Sequence, residues 1–570
     1  MARIEPKLIL CLREGYGLGH LRRDIISGIT VGIIALPLAM AFGIASIPDT
    51  VAAELQAINP ALTAPALGIF TAIVAGFLIS ALGGSRFQIG GPTGAFIVIV
   101  YQIASKHGYS GLATATTMAG VILVLMGLAG FGRLIKYVPY PVTTGFTSGI
   151  AVVIAATQLK DLFGLRPTDA GGNPISLPPE FIHKLQVLAS AWKTWEPSTV
   201  AVGVGSLVIL IILRRFMPRL PGQIVVVVIA GIVVALFGIN TDTIGDRFGG
   251  IPRSLPAPHL PAFSPALMRE LIPEATTIAI LCALESLLSA VVADGMTGRR
   301  HRSDTELVGQ GIANLATSCF WGIPATGALA RTVANIRAGA VSPISGMVHA
   351  VTLLLILLVA APLAKAIPLA TLAAVLLMVA WNMSEIDHFR WILRSPRSDI
   401  IVLLTTFGLT VLTDLTIAVM VGMVLASFLF MKRMADLSGV GSLGVADNGE
   451  DPPPDIPALP SNVEAYEVFG PLFFGSADRV RDTLAGFERP PAVFILRMRR
   501  VLCIDATGLH ALMELYKKCQ RDGINLVLSG VHAQPLVAMT NAGLDKMIGE
   551  ENLCGSIEDA IARAEKLATA

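Results

Sequence analysis

Charge is what this chain has least of. Asp, Glu, Lys and Arg together make up 14% of its 570 residues and aromatics 6%, while 54% are hydrophobic and the mean hydropathy is +0.70. That balance excludes an ordinary soluble protein and leaves an integral membrane protein. The net charge of +2 says little about partners because the signs are segregated by loop, and no nucleic-acid partner is expected. Cysteines are few: Cys11, Cys282, Cys319, Cys503, Cys519 and Cys554 show no CxxC spacing and no clustering with histidine. They read as free, reduced thiols, buried or cytosolic, so neither a disulfide framework nor a metal site is expected. Enzyme signatures are missing as well. Gly-Gly-Ser-Arg-Phe-Gln-Ile-Gly-Gly over 83–91 lacks the Gly-Lys-Ser/Thr ending of a phosphate-binding loop, and no nucleophile elbow or HExxH is present. No catalytic residue, cofactor or ATP is expected, so transport would run on gradients. The polar, basic start Arg3–Asp24 runs into a membrane helix without an Ala-x-Ala-type site, and no cleavable signal peptide is expected.

What is present is apolar length. Runs of about 17–25 residues recur from Ile25 to Met431, each able to cross a hydrocarbon core of about 30 Å. They divide into fourteen segments: 25–47, 64–83, 92–105, 111–131, 141–163, 198–216 and 221–239, then 271–294, 305–321, 326–336, 345–363, 366–383, 399–413 and 415–431. Asp414 lies at the junction of the last two. Basic residues follow the even-numbered segments: Arg86, Arg133 and Lys136, Arg214, Arg215 and Arg219, Arg299, Arg300 and Arg302, Arg337, Arg390, Arg394 and Arg397, Lys432 and Arg433. The short odd-numbered loops are nearly free of them, with Lys106 and Lys365 the exceptions. By the positive-inside rule both termini are cytoplasmic.

Two matching breaks organise this pattern: Gln88-Ile-Gly-Gly-Pro-Thr-Gly-Ala-Phe96 and Gly322-Ile-Pro-Ala-Thr-Gly-Ala-Leu-Ala-Arg331. Each opens the third segment of its half. From Pro92 to Ser105 is fourteen residues, about 21 Å of helix at about 1.5 Å per residue, too short to span. An odd number of segments per half turns the second copy upside down, giving a 7+7 inverted repeat. Two short helices entering from opposite faces would meet N-terminus to N-terminus, where unpaired N–H groups and positive dipole ends favour an anion. The alternative is that Gly-Gly-Pro merely kinks an ordinary helix.

Charges within these segments are functional candidates. Glu285 lies mid-way along the eighth segment and Arg331 just beyond the second break. In one reading Arg331 attracts an anion and Glu285 is the proton-titrating coupling site; in the other they are a structural ion pair. Pro37-Leu-Ala-Met-Ala-Phe42 would flank the same site, with Phe42 either closing it or simply packing. Lys160 and Asp161 are expected at the membrane interface, Asp294 to cap its helix or pair with Arg299, and His349 to be a satisfied core histidine. Residues 437–460 read as a linker. Beyond them a soluble α/β pattern begins, with strands at Tyr466–Phe474, Ala492–Leu496 and Asn525–Leu528 and helices at Asp505–Arg521, Pro535–Met539 and Ile557–Lys566.

At these residues the sequence resembles the SulP (sulfate permease) anion transporter family. The matches run through Arg23-Asp24, Gly28-Ile-Thr-Val-Gly32, Pro37 and Gly91-Pro-Thr93, then Thr144-Gly-Phe-Thr-Ser-Gly149 and Asp294-Gly-Met-Thr-Gly298. They continue in Glu306-Leu-Val-Gly-Gln-Gly311, Asn314, Arg337-Ala-Gly339 and Ser342-Pro-Ile-Ser345. The C-terminal part resembles the family's STAS domain. The resemblance implies an N-terminal segment over 1–24, a membrane domain over 25–436 and a STAS domain over 461–570. It implies core and gate subdomains, an elevator motion and often a homodimer. Carried over by position, Leu38, Phe42, Thr93, Gly94, Ala95, Ala330 and Arg331 would bind substrate and Glu285 would couple protons. Position 38 is Leu where several relatives have Gln, which weakens polar contacts from the first segment. Sodium-coupled bicarbonate members have Asp in place of Glu285 and no arginine in place of Arg331, which argues against sodium coupling here.

Gly132-Arg-Leu-Ile135, Glu285-Ser-Leu-Leu288 and Leu376–Glu385 look most like the bacterial DauA type, associated with C4-dicarboxylates. Asp505-Ala-Thr-Gly508 matches the STAS turn in which Thr507 would be either a phosphorylated hydroxyl or a helix N-cap. The expected function is proton-coupled dicarboxylate uptake across a bacterial inner membrane, with lipid around the segments and a possible cytoplasmic partner at the STAS domain. Sulfate or bicarbonate transport is the alternative, and a membrane-anchored anion sensor signalling through the STAS domain is a reading of another class.

Overall fold

The structure, a computed structural model, describes residues 4–133, 138–168, 175–217, 221–261, 264–413, 415–443, 459–460, 462–473 and 490–569. They fall into two units, Met1–Met423 and Val424–Ala570. Of the sequence expectations, Lys136, Arg219, Asp414 and most of the linker lie outside the described residues.

The first unit is helical. After α1 (Lys7–Arg13) come α2 (Leu18–Ser46), α3 (Asp49–Ile58) and α4 (Ala64–Leu82). A two-residue strand, β1 (Gly90–Gly91), and a 3-10 turn at Gly94–Phe96 lead into α5 (Ile97–Leu128). Helix α5 breaks at Gly108, whose φ of 64° and ψ of −170° leave the helical region, so the third and fourth expected segments are two helices joined there. Next are α6 (Tyr140–Phe163), α7 (Phe181–Ser190), α8 (Pro197–Phe216), α9 (Gly222–Phe237), α10 (Ile244–Phe248), α11 (Pro265–Glu270), α12 (Ile272–Thr297) and α13 (Ser303–Cys319). The second break holds β2 (Thr326–Gly327), followed by α14 (Leu329–Arg337), α15 (Ile344–Ala360), α16 (Leu369–Met383), α17 (Ile386–Ile392), α18 (Arg397–Leu412) and α19 (Leu415–Asp436).

Two groups emerge from the packing. Helices α2, α4, α5 and α12 to α15 pack chiefly on one another, and so do α6, α8, α16 and α18. Small residues let the backbones approach: a Cβ on Gly68 of α4 would lie 1.9 Å from the Ala39 carbonyl of α2. Large apolar residues such as Ile211, Ile232, Leu236 and Phe237 of α8 and α9 stay exposed, as lipid-facing positions do. Among the described residues nine helices are long and apolar enough to cross a bilayer, with α9 a shorter apolar one. Helix length therefore does not by itself establish the expected fourteen: α13, α14 and α18 are too short to be counted. Both breaks start their helices later than expected, at Gly94 and Leu329, because the residues before them are extended and pair with each other.

In the second unit a five-stranded sheet has the order β3–β4–β5–β6–β7, formed by Gly439–Ser442, Val463–Phe469, Val493–Arg500, Asn525–Ser529 and Leu553–Cys554. Only the β3–β4 pair is antiparallel. Helices α20 (Ala506–Arg521), α21 (Ala533–Asn541), α22 (Leu544–Ile548) and α23 (Ile557–Ala568) accompany it. Strand β3 corrects the start of the expected linker: 439–442 are paired to β4 at the sheet edge.

Candidate anion site

The two breaks meet. Gly90 pairs with Gly327 and Gly91 with Thr326 in antiparallel register, the orientation an inverted repeat requires. A break frees backbone groups that lipid cannot satisfy, and here buried side chains satisfy them. Asn314 of α13 accepts from the Ala325 N–H (2.9 Å) and donates to the Ala325 carbonyl (2.8 Å). Thr71 Oγ1 of α4 accepts from the Ile323 N–H at 2.7 Å, and Thr332 Oγ1 accepts from the Ile89 N–H at 3.1 Å. Asn335 donates to the Phe87 carbonyl (3.0 Å) and Gln88 to the Ser286 carbonyl (3.0 Å). One turn along α13 from Asn314, Gln310 donates to Glu306, whose other oxygen accepts from the Gly84 and Ser85 N–H groups.

The matching threonines are used differently. Thr326 donates to the Cys282 carbonyl of α12 (2.9 Å), whereas Thr93 donates to the carboxylate of Glu285, about one turn on (2.8 Å). Arg331, 2% exposed, reaches across from the second break to the first: its Nη2 donates to the Pro92 carbonyl at 2.9 Å. Its Nη1 has no hydrogen-bond partner among the described residues. The guanidinium lies 5.9 Å from the centre of the Phe42 ring. Gly91 makes this approach possible, since its φ is 150° and a Cβ there would lie 2.4 Å from Nη1. Glu285 and Arg331 make no direct ion-pair contact with each other; they are tied to adjacent residues of the first break, Thr93 and Pro92.

The remaining expected site residues are placed around this centre. Leu38 and Phe42 are buried on α2, Ala95 is buried in the 3-10 turn, and Ala330 is exposed in the first turn of α14. Gly94 faces the other packing group, where a Cβ would lie 2.7 Å from Met383 Sδ of α16. Among the described residues no group of three or more His, Cys, Asp or Glu could hold a metal ion. The residues that sequence reasoning passed over as site-formers are Thr71, Gln88, Gln310, Asn335 and Met383. Glu306, Gln310 and Asn314 recur at i, i+4 and i+8 along one face of α13, and that stripe was the available signal.

Several expectations are corrected. His349 is fully buried, but among the described residues neither ring nitrogen has a hydrogen-bond partner, so the expectation of a satisfied core histidine is not met. Asp294 pairs with His301, not Arg299, at 2.7 Å. Thr507 does not cap α20: Asp505 does, accepting from the Gly508 N–H at 2.8 Å, and Thr507 is exposed in the first turn. Lys160 and Asp161 are more than interfacial. Lys160 pairs with Asp49 (2.8 Å), and Arg247 of α10 bridges Asp49 (2.9 Å) and Asp161 (2.7 Å). Burial alone would raise the Asp49 pKa, but Arg247 and Lys160 more than offset it and hold the carboxyl below its ordinary value.

Comparison with known proteins places this geometry. Residues 21–406 match the sulfate permease family and residues 458–560 the STAS domain. The chain is 40% identical to the Bacillus subtilis (strain 168) protein named "Putative sulfate transporter YvdB", over 95% of this chain and 97% of that one. It is 31% identical to the bicarbonate transporter BicA of Picosynechococcus, over 81% and 80% of the two chains. The solved structure of the murine Solute Carrier 26 family member A9 anion transporter shares the fold, with a TM-score of 0.83 at 18% identity over 98% of this chain and 94% of that one. This chain belongs to the sulfate permease family of anion transporters and carries a STAS domain after its membrane unit.

Proposed function

We propose that the protein takes up a small oxyanion together with protons, the group of α2–α5 and α12–α15 moving as an elevator against the group that contains α6 and α16. The reading sets both termini in the cytoplasm of a bacterium, the membrane unit in its inner membrane, and a homodimer as the assembly. The observation that carries it is Arg331 Nη1, a buried charged donor beside two helix starts that has no partner among the described residues. Such a donor is costly unless a ligand meets it. Glu285, held by Thr93 on the same break, is the group to exchange a proton as the anion arrives or leaves.

Sulfate and bicarbonate lead as substrates. The names of the two relatives support them, and so does a site walled by Phe42 and Met383 that offers one guanidinium arm. A C4-dicarboxylate, expected from the runs at 132–135, 285–288 and 376–385, is the second reading. Uptake into proteoliposomes of sulfate, bicarbonate, succinate and fumarate, each with and without an acid-outside pH gradient, tests both. Gradient-stimulated flux of sulfate or bicarbonate is expected. Flux of the dicarboxylates alone would overturn the leading substrate, and no stimulation of any flux would overturn proton coupling.

A further inference from the structure

One buried cation is left unused by that account. Lys184 lies on α7 in the connection between α6 and α8, and only 4% of its surface is exposed. Its Nζ donates to Thr157 Oγ1 of α6 at 3.3 Å and stands 5.4 Å from the centre of the Tyr101 ring of α5. Among the described residues it has no carboxylate within ion-pair distance. Tyr101 is itself fixed, donating to the Leu177 carbonyl at 2.5 Å. A hydroxyl and an aromatic face relieve a buried ammonium only in part, and that burial pushes its pKa down to about 8.

Its position matters more than its cost. A small cavity touching Lys184 is lined by Ala45 of α2 and Ile97, Val98 and Tyr101 of α5 on one side, and by Val153 and Thr157 of α6 on the other. Those elements belong to the two packing groups, so Lys184 plugs the seam between them. Tyr101 is seven residues beyond Gly94, about 10 Å along a helix that starts at the first break. Arg331 follows the second break, whose helix runs the opposite way. The two buried cations therefore bracket the anion centre, Arg331 on the side of the basic loops and Lys184 on the far side.

We propose that Lys184 is an outer anion-binding station: when the groups separate on that side, its ammonium leaves the Tyr101 face and receives a small oxyanion on the way to Arg331. The proposal rests on the transport reading above. With the uncompensated charge at the seam, the anion meets a cation before it meets the helix starts, and the two ends of the route differ in their attraction for it.

The test is sided. In proteoliposomes of known orientation, K184M keeps length and shape but removes the charge, and K184R keeps the charge. With sulfate, bicarbonate and succinate as probes, K184M should raise KM from the α7 side by about tenfold. It should leave KM from the opposite side within about twofold, as expected for a distant, uncoupled site, and K184R should restore the α7-side value. Equal changes from both sides, or no change, would overturn the station. A second readout does not need flux. Acetylation of Lys184 by a small anhydride applied from the α7 side, followed by peptide mass spectrometry, should be slowed by sulfate on that side; labelling that ignores every probe anion would also overturn it. Protection without wild-type flux would sink the transport reading and leave the station standing.

Discussion

At the scale of single residues, the account turns on asymmetry between two similar breaks. Thr326 is spent on the Cys282 backbone, while its counterpart Thr93 holds Glu285. Arg331 has no counterpart in the first break and uses Nη2 to grip it, leaving Nη1 without a partner among the described residues. Gly91→Ala should therefore displace the guanidinium and cost about 1.5–3 kcal/mol of anion binding, the range for a hydrogen bond to a charged group. Isothermal titration with sulfate or bicarbonate measures this, and unchanged affinity would mean that Nη1 does not touch the substrate. Lys184 gives a pH dependence of known sign. Its folded-state pKa is lowered to about 8, so the ammonium is lost as pH rises through that value. The groups facing it are Tyr101 from α5, Thr157 from α6 and Glu180 from the start of its own helix. Affinity for anion on the α7 side should fall as that side is taken from pH about 7 to about 9, and K184R, charged throughout, should flatten the curve.

At the scale of elements, broken backbone is tolerated here because side chains close its hydrogen bonds. Asn314 does so for both groups of Ala325, so Asn314→Leu leaves the buried Ala325 N–H unpaired and its carbonyl with only the weak Cys282 thiol as donor (3.2 Å). The lost N–H bond alone costs about 1–3 kcal/mol, and thermal unfolding in detergent should show a drop of several degrees. A melting temperature unaltered by this change would mean that the break is supported elsewhere. The sequence was most legible at this scale. Long apolar helices such as α2, α4 and α6 lie within a few residues of their expected bounds, except that α2 begins seven residues earlier, in the polar stretch before Ile25. The short helices α3, α7, α10, α11 and α17 were not read, since 5–10 residues in a polar connection carry too little periodicity. Lys184 was missed for that reason: a lone lysine in a long loop looks solvated until α7 folds it under Tyr101. The cap at Asp505 was misassigned to Thr507 because both residues have capping chemistry, and only the helix start decides between them.

At the scale of the whole membrane unit, the two packing groups are joined at one end by ion pairs. Asp49 follows α2, Lys160 and Asp161 end α6, and Arg247 on α10 ties them. Removing the shared carboxylate by Asp49→Asn should loosen that end. A cysteine placed at Ala45 should then react faster with a thiol reagent from the α7 side, and an equal rate in both backgrounds would deny the ion pairs this role. Since Asp49 is held below its ordinary 3.8, it stays charged and the pairs persist until pH falls through that lowered value. Acidifying the α7 side to about pH 5 should slow Ala45→Cys only as much as loss of thiolate slows a freely exposed cysteine, with no further change from the ion pairs. The charge alternation and the matched breaks foretold the antiparallel meeting of the two halves. What they left open was which cation and which carboxylate share the centre, because that depends on how the second half packs on the first. The most direct test of the account compares wild type with Glu285→Gln in proteoliposomes under an acid-outside gradient. The account predicts that the variant still exchanges sulfate or bicarbonate but no longer accumulates it above equilibrium; accumulation equal to wild type would contradict Glu285 as the coupling group.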